Sequence, residues 1–256
     1  MNLLKNANRL KNANKSRRVG LARALSKLGY CSRTTGFALA RAGRLRVNGM
    51  VRRDPEFPVH PAKDRIEADG HPVEPGPRIY LKMNKPRGVV TTAADEKGRQ
   101  TVYAYLEANH PWVAPAGRLD KASQGLLLLT NDSEWASQLS SPQTHLDKTY
   151  HVQLGVVAGA ALVESMQRGV RTDCGVLRVK RAAILRRGEK NTWLEVVLDE
   201  GKNRQIRKIL AALGIEILQL VRVAIGPLAL GELRKGEVRQ LTAQEKQALD
   251  RSMGRG

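Results

Sequence analysis

The sequence predicts an α+β protein, with a small N-terminal α/β module followed by a larger α+β domain. Helical and strand-like patterns follow one another irregularly, unlike the strict alternation of a doubly wound fold. A proline-rich stretch, HPVEPGPR, separates two short helical patterns and two hairpin signals from the remainder of the chain. With 256 residues, the chain is long enough for one good-sized domain or two smaller ones.

Two helices are predicted at the start of the N-terminal module. Leu21, Leu25 and Leu28 lie at i, i+4 and i+7, which predicts a helix with one apolar face. Ser32 is the expected N-cap of a second short helix, and Gly43 is expected to end it.

Two hairpins are predicted in the same module. Asn48-Gly49 and Asp69-Gly70 are dipeptides that favour two-residue turns, and alternating polar and apolar residues surround the first of them. The module therefore extends over about 17–75, and the larger domain over 76–250.

The larger domain begins with a predicted strand. Ile79, Leu81 and Met83 alternate along one face, and a turn is expected at the following KPRG. Further strands are expected at Leu126–Thr130, Thr149–Leu154, Val176–Val179, Trp193–Leu198 and Ile217–Val223. Helices are expected near 101–109, 133–140, 158–168 and 203–213.

The charge is large and unevenly distributed. The formal net charge is +20, and 14 of the 44 lysines and arginines precede the first acidic residue, Asp54. Such an excess favours a polyanionic partner, with nucleic acid preferred to a membrane surface or an ordinary solvated face. The candidate nucleic-acid contacts in this region are Lys27, Arg33, Arg41, Arg44 and Arg46.

The first 16 residues, in which Leu-Lys-Asn-Ala-Asn occurs twice, predict a disordered basic tail in preference to a transit peptide. Cys31 and Cys174 are isolated cysteines, which favours a reducing, cytoplasmic location.

Several motifs of cofactor enzymes are missing from the sequence. It contains no GxGxxG, GxxxxGK[ST] or HExxH, and the five histidines have no ligand spacing. Nucleotide hydrolysis, dinucleotide redox chemistry and zinc catalysis therefore lose support. A methyltransferase is also disfavoured, because no glycine-rich cofactor loop follows a strand.

Asp120 lies in GRLDKASQGLLLLTND, between Arg118 and Lys121 and directly before an apolar strand. It could close a turn through a surface ion pair, or it could be a reactive carboxylate. An enzyme that acts on a base must extrude it into a pocket, where a carboxylate paired with a cation can be nucleophile or general base.

Two further segments suit such a pocket. In GKNRQIRKILAALG, Arg204 and Arg207 lie three residues apart on a predicted helix, where they could hold a carboxylate ionised or simply be solvated. Tyr150 in KTYHVQL shares a strand face with Val152 and Leu154, so it could be a core residue or the ring that stacks on one extruded base.

Four ordered motifs, KPRGVVTTAADEKGRQTV, GRLDKASQGLLLLTND, KTYHVQL and GKNRQIRKILAALG, resemble the bacterial ribosomal-RNA pseudouridine synthases, in the branch that modifies single sites. The N-terminal module resembles the RNA-binding domain shared with ribosomal protein S-four. The resemblance covers about residues 17–245 and implies a mixed, largely antiparallel catalytic sheet. It also implies isomerisation of a uridine in ribosomal RNA without a metal or a cofactor, with a mild preference for the large subunit.

The resemblance assigns roles to single residues. Asp120 matches the family's essential aspartate, Tyr150 the aromatic residue that packs against the base, and Arg207, in preference to Arg204, the arginine that pairs with the aspartate. Leu210 matches an apolar wall. The residues expected to contact RNA in this domain are Arg118, Arg204, Lys85 and Arg87.

The sequence departs from the family at two places. Ala122 replaces an acidic or hydroxyl residue, and APAGRLD replaces the usual YPVGRLD. These departures leave the target uridine open. The alternative to an enzyme is a non-catalytic RNA-binding or ribosome-assembly protein on the same fold, and a monomer is expected in either case.

Overall fold

The computed structural model describes residues 18–93, 95, 97–108 and 110–255, so the tail expected at 1–16 lies outside the described residues. The chain divides into two compact units, each with its own apolar core. The first contains the described residues up to Ile79, with 110–114 and Thr130–Glu134, and the second contains the remainder. The domain boundary expected near residue 75 stays a prediction.

The described residues form six α-helices, two 3-10 turns and seventeen strands. The helices are α1 Leu21–Lys27, α2 Arg33–Arg41, α3 Ser133–Ser140, α4 Ala160–Arg168, α5 Gln205–Ala212 and α6 Ala243–Ser252, and the 3-10 turns are Val102–Tyr105 and Pro142–Thr144. The strands are β1 Val19–Gly20, β2 Leu45–Val47, β3 Met50–Val51, β4 Pro58–Val59, β5 Ile66–Ala68, β6 His71–Pro72, β7 Tyr80–Lys85, β8 Ala114–Pro115, β9 Gln124–Thr130, β10 Lys148–Leu154, β11 Val170–Thr172, β12 Gly175–Leu177, β13 Arg181–Arg187, β14 Thr192–Leu198, β15 Ile217–Ile225, β16 Leu228–Ala229 and β17 Val238–Gln240.

The first unit forms from short local signals that the sequence carries. Ser32 caps α2, because its Oγ accepts a hydrogen bond from the amide of Thr35 at 2.9 Å. Both hairpins are confirmed, between β2 and β3 and between β5 and β6, in a sheet of order β3-β2-β5-β6. The backbone φ angles are 51° and 80° at Asn48 and Gly49, as a turn with two left-handed residues requires.

The second unit is built on a nine-stranded sheet. Its main order is β13-β14-β10-β15-β9-β7-β17, with the short strands β8 and β16 in addition. Strand β15 runs parallel to β9, whereas β10 pairs antiparallel with both β14 and β15. The expected mixed, largely antiparallel sheet is therefore confirmed.

Two apolar clusters stabilise this sheet. One contains α4, α5 and the inward residues of β10 and β14, including Val152, Leu194 and Ile209, and the other surrounds Trp135 on α3 and Leu249 on α6. Burial of this apolar area is the main favourable contribution to folding of the unit. It fixes the strands that carry the site described below.

Two helical expectations differ from the structure. The helix expected at 101–109 is only the 3-10 turn Val102–Tyr105, because the amide of Val102 donates to the carbonyl of Val90 and Leu106 is already extended, with ψ 150°. The helix expected at 203–213 begins at Gln205, and Arg204 precedes it with a left-handed φ of 53°.

Candidate active site

Asp120 lies in the loop between β8 and β9. The amide of Ser123 donates to the carbonyl of Asp120 at 3.0 Å, and the amide of Gly88 donates to the carbonyl of Lys121 at 2.7 Å. All seven residues of β9 are buried, whereas the Asp120 side chain is 35% exposed. The carboxylate is therefore accessible at the start of a rigid, apolar strand.

Two arginines approach the Asp120 carboxylate. Arg204 donates from Nη1 to Oδ2 at 3.3 Å, and Arg207 Nε lies 3.7 Å from the same oxygen, beyond hydrogen-bond length. Arg207 Nη2 instead donates to the carbonyl of Ala122 at 3.1 Å and to Ser123 Oγ at 3.2 Å. Burial and then the charge of Arg204 lower the pKa of Arg207, and the charge of Asp120 opposes this shift.

The two arginines differ in position. Arg207 is on α5 and its side chain is 16% exposed, whereas Arg204 precedes the helix and is 49% exposed. The spacing predicts that both arginines lie on one turn of a helix, but only Arg207 is helical. The role of Arg207 as the partner of Asp120 stays a prediction, and no ion pair in the described part of the chain joins Asp120 to Arg118 or Lys121.

A cavity of about 470 Å³ opens beside Asp120. This volume lies in the range of pockets that take a small molecule or a single extruded base. The structure brings five of the predicted site residues to its wall, namely Asp120, Tyr150, Arg204, Arg207 and Arg118.

The sheet supplies one face of this cavity. Tyr150 on β10 pairs with Arg222 on β15, and Lys148 lies two residues before Tyr150 on the same strand. All three side chains line the cavity. The sequence prediction did not include Lys148 and Arg222, although a charged residue inside the apolar strand ILQLVRVAI was a signal available at Arg222.

Lys85 does not fit its predicted contact with RNA. Its side chain is fully buried, and Nζ donates to the carbonyls of Val89 at 2.7 Å and Pro86 at 3.0 Å. Burial lowers the pKa of Lys85 to about 8, while the charge of Asp120 acts in the opposite direction. The ammonium group therefore holds the turn after β7 and does not reach a surface.

Leu210 and Arg87 also lie outside the cavity wall. Leu210 is fully buried in the apolar core against α5 and does not line the cavity. Ile206, one turn earlier on the same helix, lines the cavity instead. Arg87 is exposed, and its Nη1 donates to the carbonyl of Leu218 at 3.1 Å.

The predicted RNA contacts of the first unit fall into two groups. Lys27 forms an ion pair with Glu134 at 2.9 Å, and Arg44 forms one with Asp69 at 2.6 Å. The other predicted contacts, Arg33, Arg41 and Arg46, are exposed and form no ion pair among the described residues.

The described residues contain no cluster of three or more histidine, cysteine or acidic side chains that could hold a metal ion. Both cysteines are free thiols, with Cys31 buried and Cys174 exposed. Among the described residues, none of the helices has the length and apolar character needed to cross a membrane.

The protein family described as RNA pseudouridylate synthase matches residues 79–212, the part of the chain that carries Asp120, Tyr150 and both arginines. The chain belongs to this family. It is therefore an RNA pseudouridine synthase, an isomerase that acts on RNA. The S4 domain, an RNA-binding family, matches residues 19–66 and covers most of the basic N-terminal unit.

Individual relatives agree with this assignment over nearly the whole chain. A Bacillus subtilis protein named ribosomal large subunit pseudouridine synthase B is 34% identical over 231 residues, which cover 90% of this chain and 94% of the relative. An uncharacterized RNA pseudouridine synthase of Aquifex aeolicus is 34% identical over 92% of this chain and 95% of the relative. A solved crystal structure of a pseudouridylate synthase, 27% identical, matches with a TM-score of 0.63 and covers 91% of this chain and 100% of that chain.

Proposed function

We propose that this protein isomerises one specific uridine of ribosomal RNA to pseudouridine, with large-subunit RNA the preferred substrate. The observation that carries the proposal is the cavity in which Asp120, Tyr150, Arg204 and Arg207 meet. The relative named for the large ribosomal subunit supports the choice of RNA, since it is similar over 90% of this chain.

Tyr150 and Asp120 have different roles in the proposed reaction. The ring of Tyr150 packs against the extruded uracil, while the Asp120 carboxylate acts on the ribose. The bond from uracil N1 to ribose C1′ breaks, the held uracil rotates, and C5 bonds to C1′. C5 then loses its proton and N1 takes one up, so the product has the composition of the substrate. All atoms of the uridine are retained, so no co-reactant is needed.

Two routes satisfy this balance. The carboxylate attacks C1′ and forms an ester that the rotated uracil displaces, or it removes a ribose proton and a glycal forms and is then reprotonated. Both need a negatively charged carboxylate next to the ribose. Arg204 at 3.3 Å and Arg207 at 3.7 Å supply positive charge there, and the buried strand β9 lowers the local dielectric, which strengthens the attraction.

RNA binding is assigned to the basic N-terminal unit, with Arg33, Arg41 and Arg46 as its phosphate contacts. Their exposed guanidinium groups are the observation that supports this role. We propose a cytoplasmic monomer, since the substrate is an RNA surface far larger than the protein.

The test is substitution of the carboxylate. Asp120→Asn keeps the side-chain shape and removes the charge, so we expect pseudouridine formation on ribosomal RNA to fall by at least about 10³-fold, the scale for loss of a covalent or general-base group. Purified wild-type and variant proteins are compared on ribosomal RNA by mapping pseudouridine at single-nucleotide resolution. Persistence of the activity in the variant would contradict the role of Asp120.

The same mapping in cells with and without the protein identifies the target uridine. A pseudouridine that disappears from large-subunit RNA supports the proposal, and one that disappears from small-subunit RNA corrects the subunit. If the wild-type protein binds ribosomal RNA but modifies no uridine, it is the ribosome-assembly protein described above as the alternative.

A further inference from the structure

Two cationic side chains of the cavity take no part in the reaction described so far. Lys148 and Arg222 are on neighbouring strands, β10 and β15, and both line the cavity on the face that carries Tyr150. They come from the sheet, whereas Arg204 and Arg207 come from the loop before α5 and from α5 itself.

Arg222 is an unusual residue for the interior of a sheet. It is only 6% exposed, its Nε donates to the carbonyl of Leu126 at 2.8 Å, and its Nη2 is buried without a hydrogen-bond partner in the described part of the chain. Leaving such a buried donor unpaired is unfavourable, and a bound acceptor would remove that cost.

Lys148 increases this cost. Burial and then the charge of Arg222 lower the pKa of Lys148, and Asp147 and Asp199 oppose the shift more weakly. Asp147 is held by Lys180 at 2.8 Å, and none of the described carboxylates forms an ion pair with Lys148 or Arg222. Two like charges are therefore close together in a partly buried place, which is unfavourable unless an anion binds between them.

We propose that Lys148 and Arg222 bind a backbone phosphate of the RNA next to the target uridine. This inference rests on the proposed function. The phosphate is the anion that every RNA substrate carries, and a neutral uracil carbonyl would need one donor and not two cations. Because both side chains share the sheet face of Tyr150, the phosphate is the one closest to the base that packs on that ring.

The consequence for catalysis is orientation. A phosphate fixed by two cations holds the ribose of the extruded nucleotide, so that Tyr150 positions the base and the phosphate contact positions the sugar against Asp120. Lys148 and Arg222 are therefore positioning residues that bind substrate, and their loss affects substrate binding together with the chemical step.

The first experiment measures the salt dependence of Lys148→Met. The Lys148 side chain makes no described hydrogen bond, so this variant removes charge with little effect on the fold. We expect kcat/KM to fall at least about tenfold, the scale of a charge-assisted hydrogen bond. We also expect the slope of log affinity for RNA against log salt to become shallower by about 0.7, the value for one phosphate contact with a single strand.

Two variants serve as controls. Lys190→Met removes the same charge from an exposed loop between β13 and β14 and should leave kcat/KM and the salt slope unchanged. Lys148→Arg keeps a cation and should restore the slope. An unfolding measurement on each variant separates loss of binding from loss of fold.

The second experiment locates the phosphate. An RNA fragment that spans the mapped uridine carries a neutral methylphosphonate at the linkage on either side of it. One of the two replacements should lower kcat/KM of the wild type about tenfold and have little further effect in Lys148→Met, because the partner charge is already gone. Arg222→Lys should show a smaller coupling in the same direction.

Either of two results overturns the inference: methylphosphonate losses that are additive with Lys148→Met, or an unchanged salt slope in that variant. If the wild type modifies no uridine, the proposed function fails, and the salt slope of RNA binding by Lys148→Met still decides the phosphate contact. The two failures are therefore distinguishable.

Discussion

Gly125 shows how a single residue positions this site. It is the second residue of β9, and it pairs with Arg222 across the parallel contact with β15. Its φ is +104°, and a Cβ at this position would collide with the carbonyl oxygen of Arg222. The close approach of the two backbones places Arg222 beside the strand that follows Asp120, and only glycine allows it.

Gly125→Ala should therefore destabilise the protein. The added methyl group meets backbone that cannot give way, and the left-handed φ adds strain, so we expect a loss of about 2–4 kcal/mol in the free energy of unfolding. Urea unfolding followed by circular dichroism measures it. The matched control is Gly155→Ala, where the nearest atom to the new Cβ is 3.4 Å away and no positive φ opposes the substitution. A similar loss in both variants would contradict this account.

The two arginines near Asp120 should not be equivalent. Arg207 is the more buried of the two, and it also donates hydrogen bonds to Ala122 and Ser123. These hydrogen bonds hold the loop that carries the Asp120 carboxylate. Arg207→Gln should lower kcat about 100-fold, whereas Arg204→Gln, at a half-exposed position, should lower it less than tenfold. Single-turnover pseudouridine formation measures both, with thermal unfolding as the check on the fold. A larger loss of kcat in Arg204→Gln than in Arg207→Gln would contradict this prediction and would make Arg204, 3.3 Å from the Asp120 carboxylate, the more important partner.

At the scale of elements, the sequence predicts most where the signal is local. The cap at Ser32, the Asn48-Gly49 turn and the helix 133–140 depend on neighbouring residues and are found as predicted. The prediction of a helix at 101–109 was wrong, because the hydrogen bond from the Val102 amide to the Val90 carbonyl changes the direction of the backbone there.

The site divides in the same way. The motifs pointed to Asp120, Tyr150 and Arg207, and all three line one cavity. Lys148 and Arg222 were not found, because their proximity depends on the pairing of β10 with β15, which no local pattern specifies. Lys85 was expected to contact RNA and Leu210 to form an apolar wall of the site, because sequence alone does not show that both are fully buried.

The N-terminus of α6 gives a prediction about acid stability. Glu245 completes a capping box with Thr242 and accepts hydrogen bonds from Arg239 and Lys82. The Arg239 contact is the largest cause that lowers the pKa of Glu245 from 4.5 to about 2. As the pH falls, the unfolded chain therefore takes up this proton at a higher pH than the folded chain. The contribution of the Glu245 carboxylate to the free energy of unfolding is full above about pH 4.5 and is lost as the pH falls towards 2.

Glu245→Gln keeps the capping side chain and removes the charge. We expect it to cost about 1 kcal/mol at pH 7, the scale of a partly exposed charge-assisted hydrogen bond, and progressively less between pH 4.5 and 2. Urea unfolding at several pH values measures the difference from the wild type. Glu189→Gln, at an exposed carboxylate outside the described ion pairs, should show no such trend, and a constant cost of Glu245→Gln at all pH values would refute the assignment.

At the scale of the whole molecule, we expect the positive charges that lack a carboxylate partner to contribute most to RNA binding. The chain carries a net charge of +20, and the N-terminal region contributes 14 of its 44 basic residues before the first acidic one. Acidic residues neutralise part of the positive charge of the first unit, because Lys27 and Arg44 of this cluster, and Arg65 after it, form ion pairs with Glu134, Asp69 and Glu67. Release of counterions from RNA should depend on the remaining cations.

Two triple variants with the same change in net charge separate these groups. Replacing Arg33, Arg41 and Arg46 by Gln removes unpaired charges, so the slope of log affinity for ribosomal RNA against log salt should become shallower by about 2, or 0.7 for each contact. Replacing Lys27, Arg44 and Arg65 by Gln removes charges that already have carboxylate partners and should change the slope by less than half as much. Fluorescence anisotropy between 50 and 300 mM salt, a range of about sixfold, resolves this difference. Equal slopes in the two variants would mean that net charge alone, and not its placement on the first unit, controls binding to RNA.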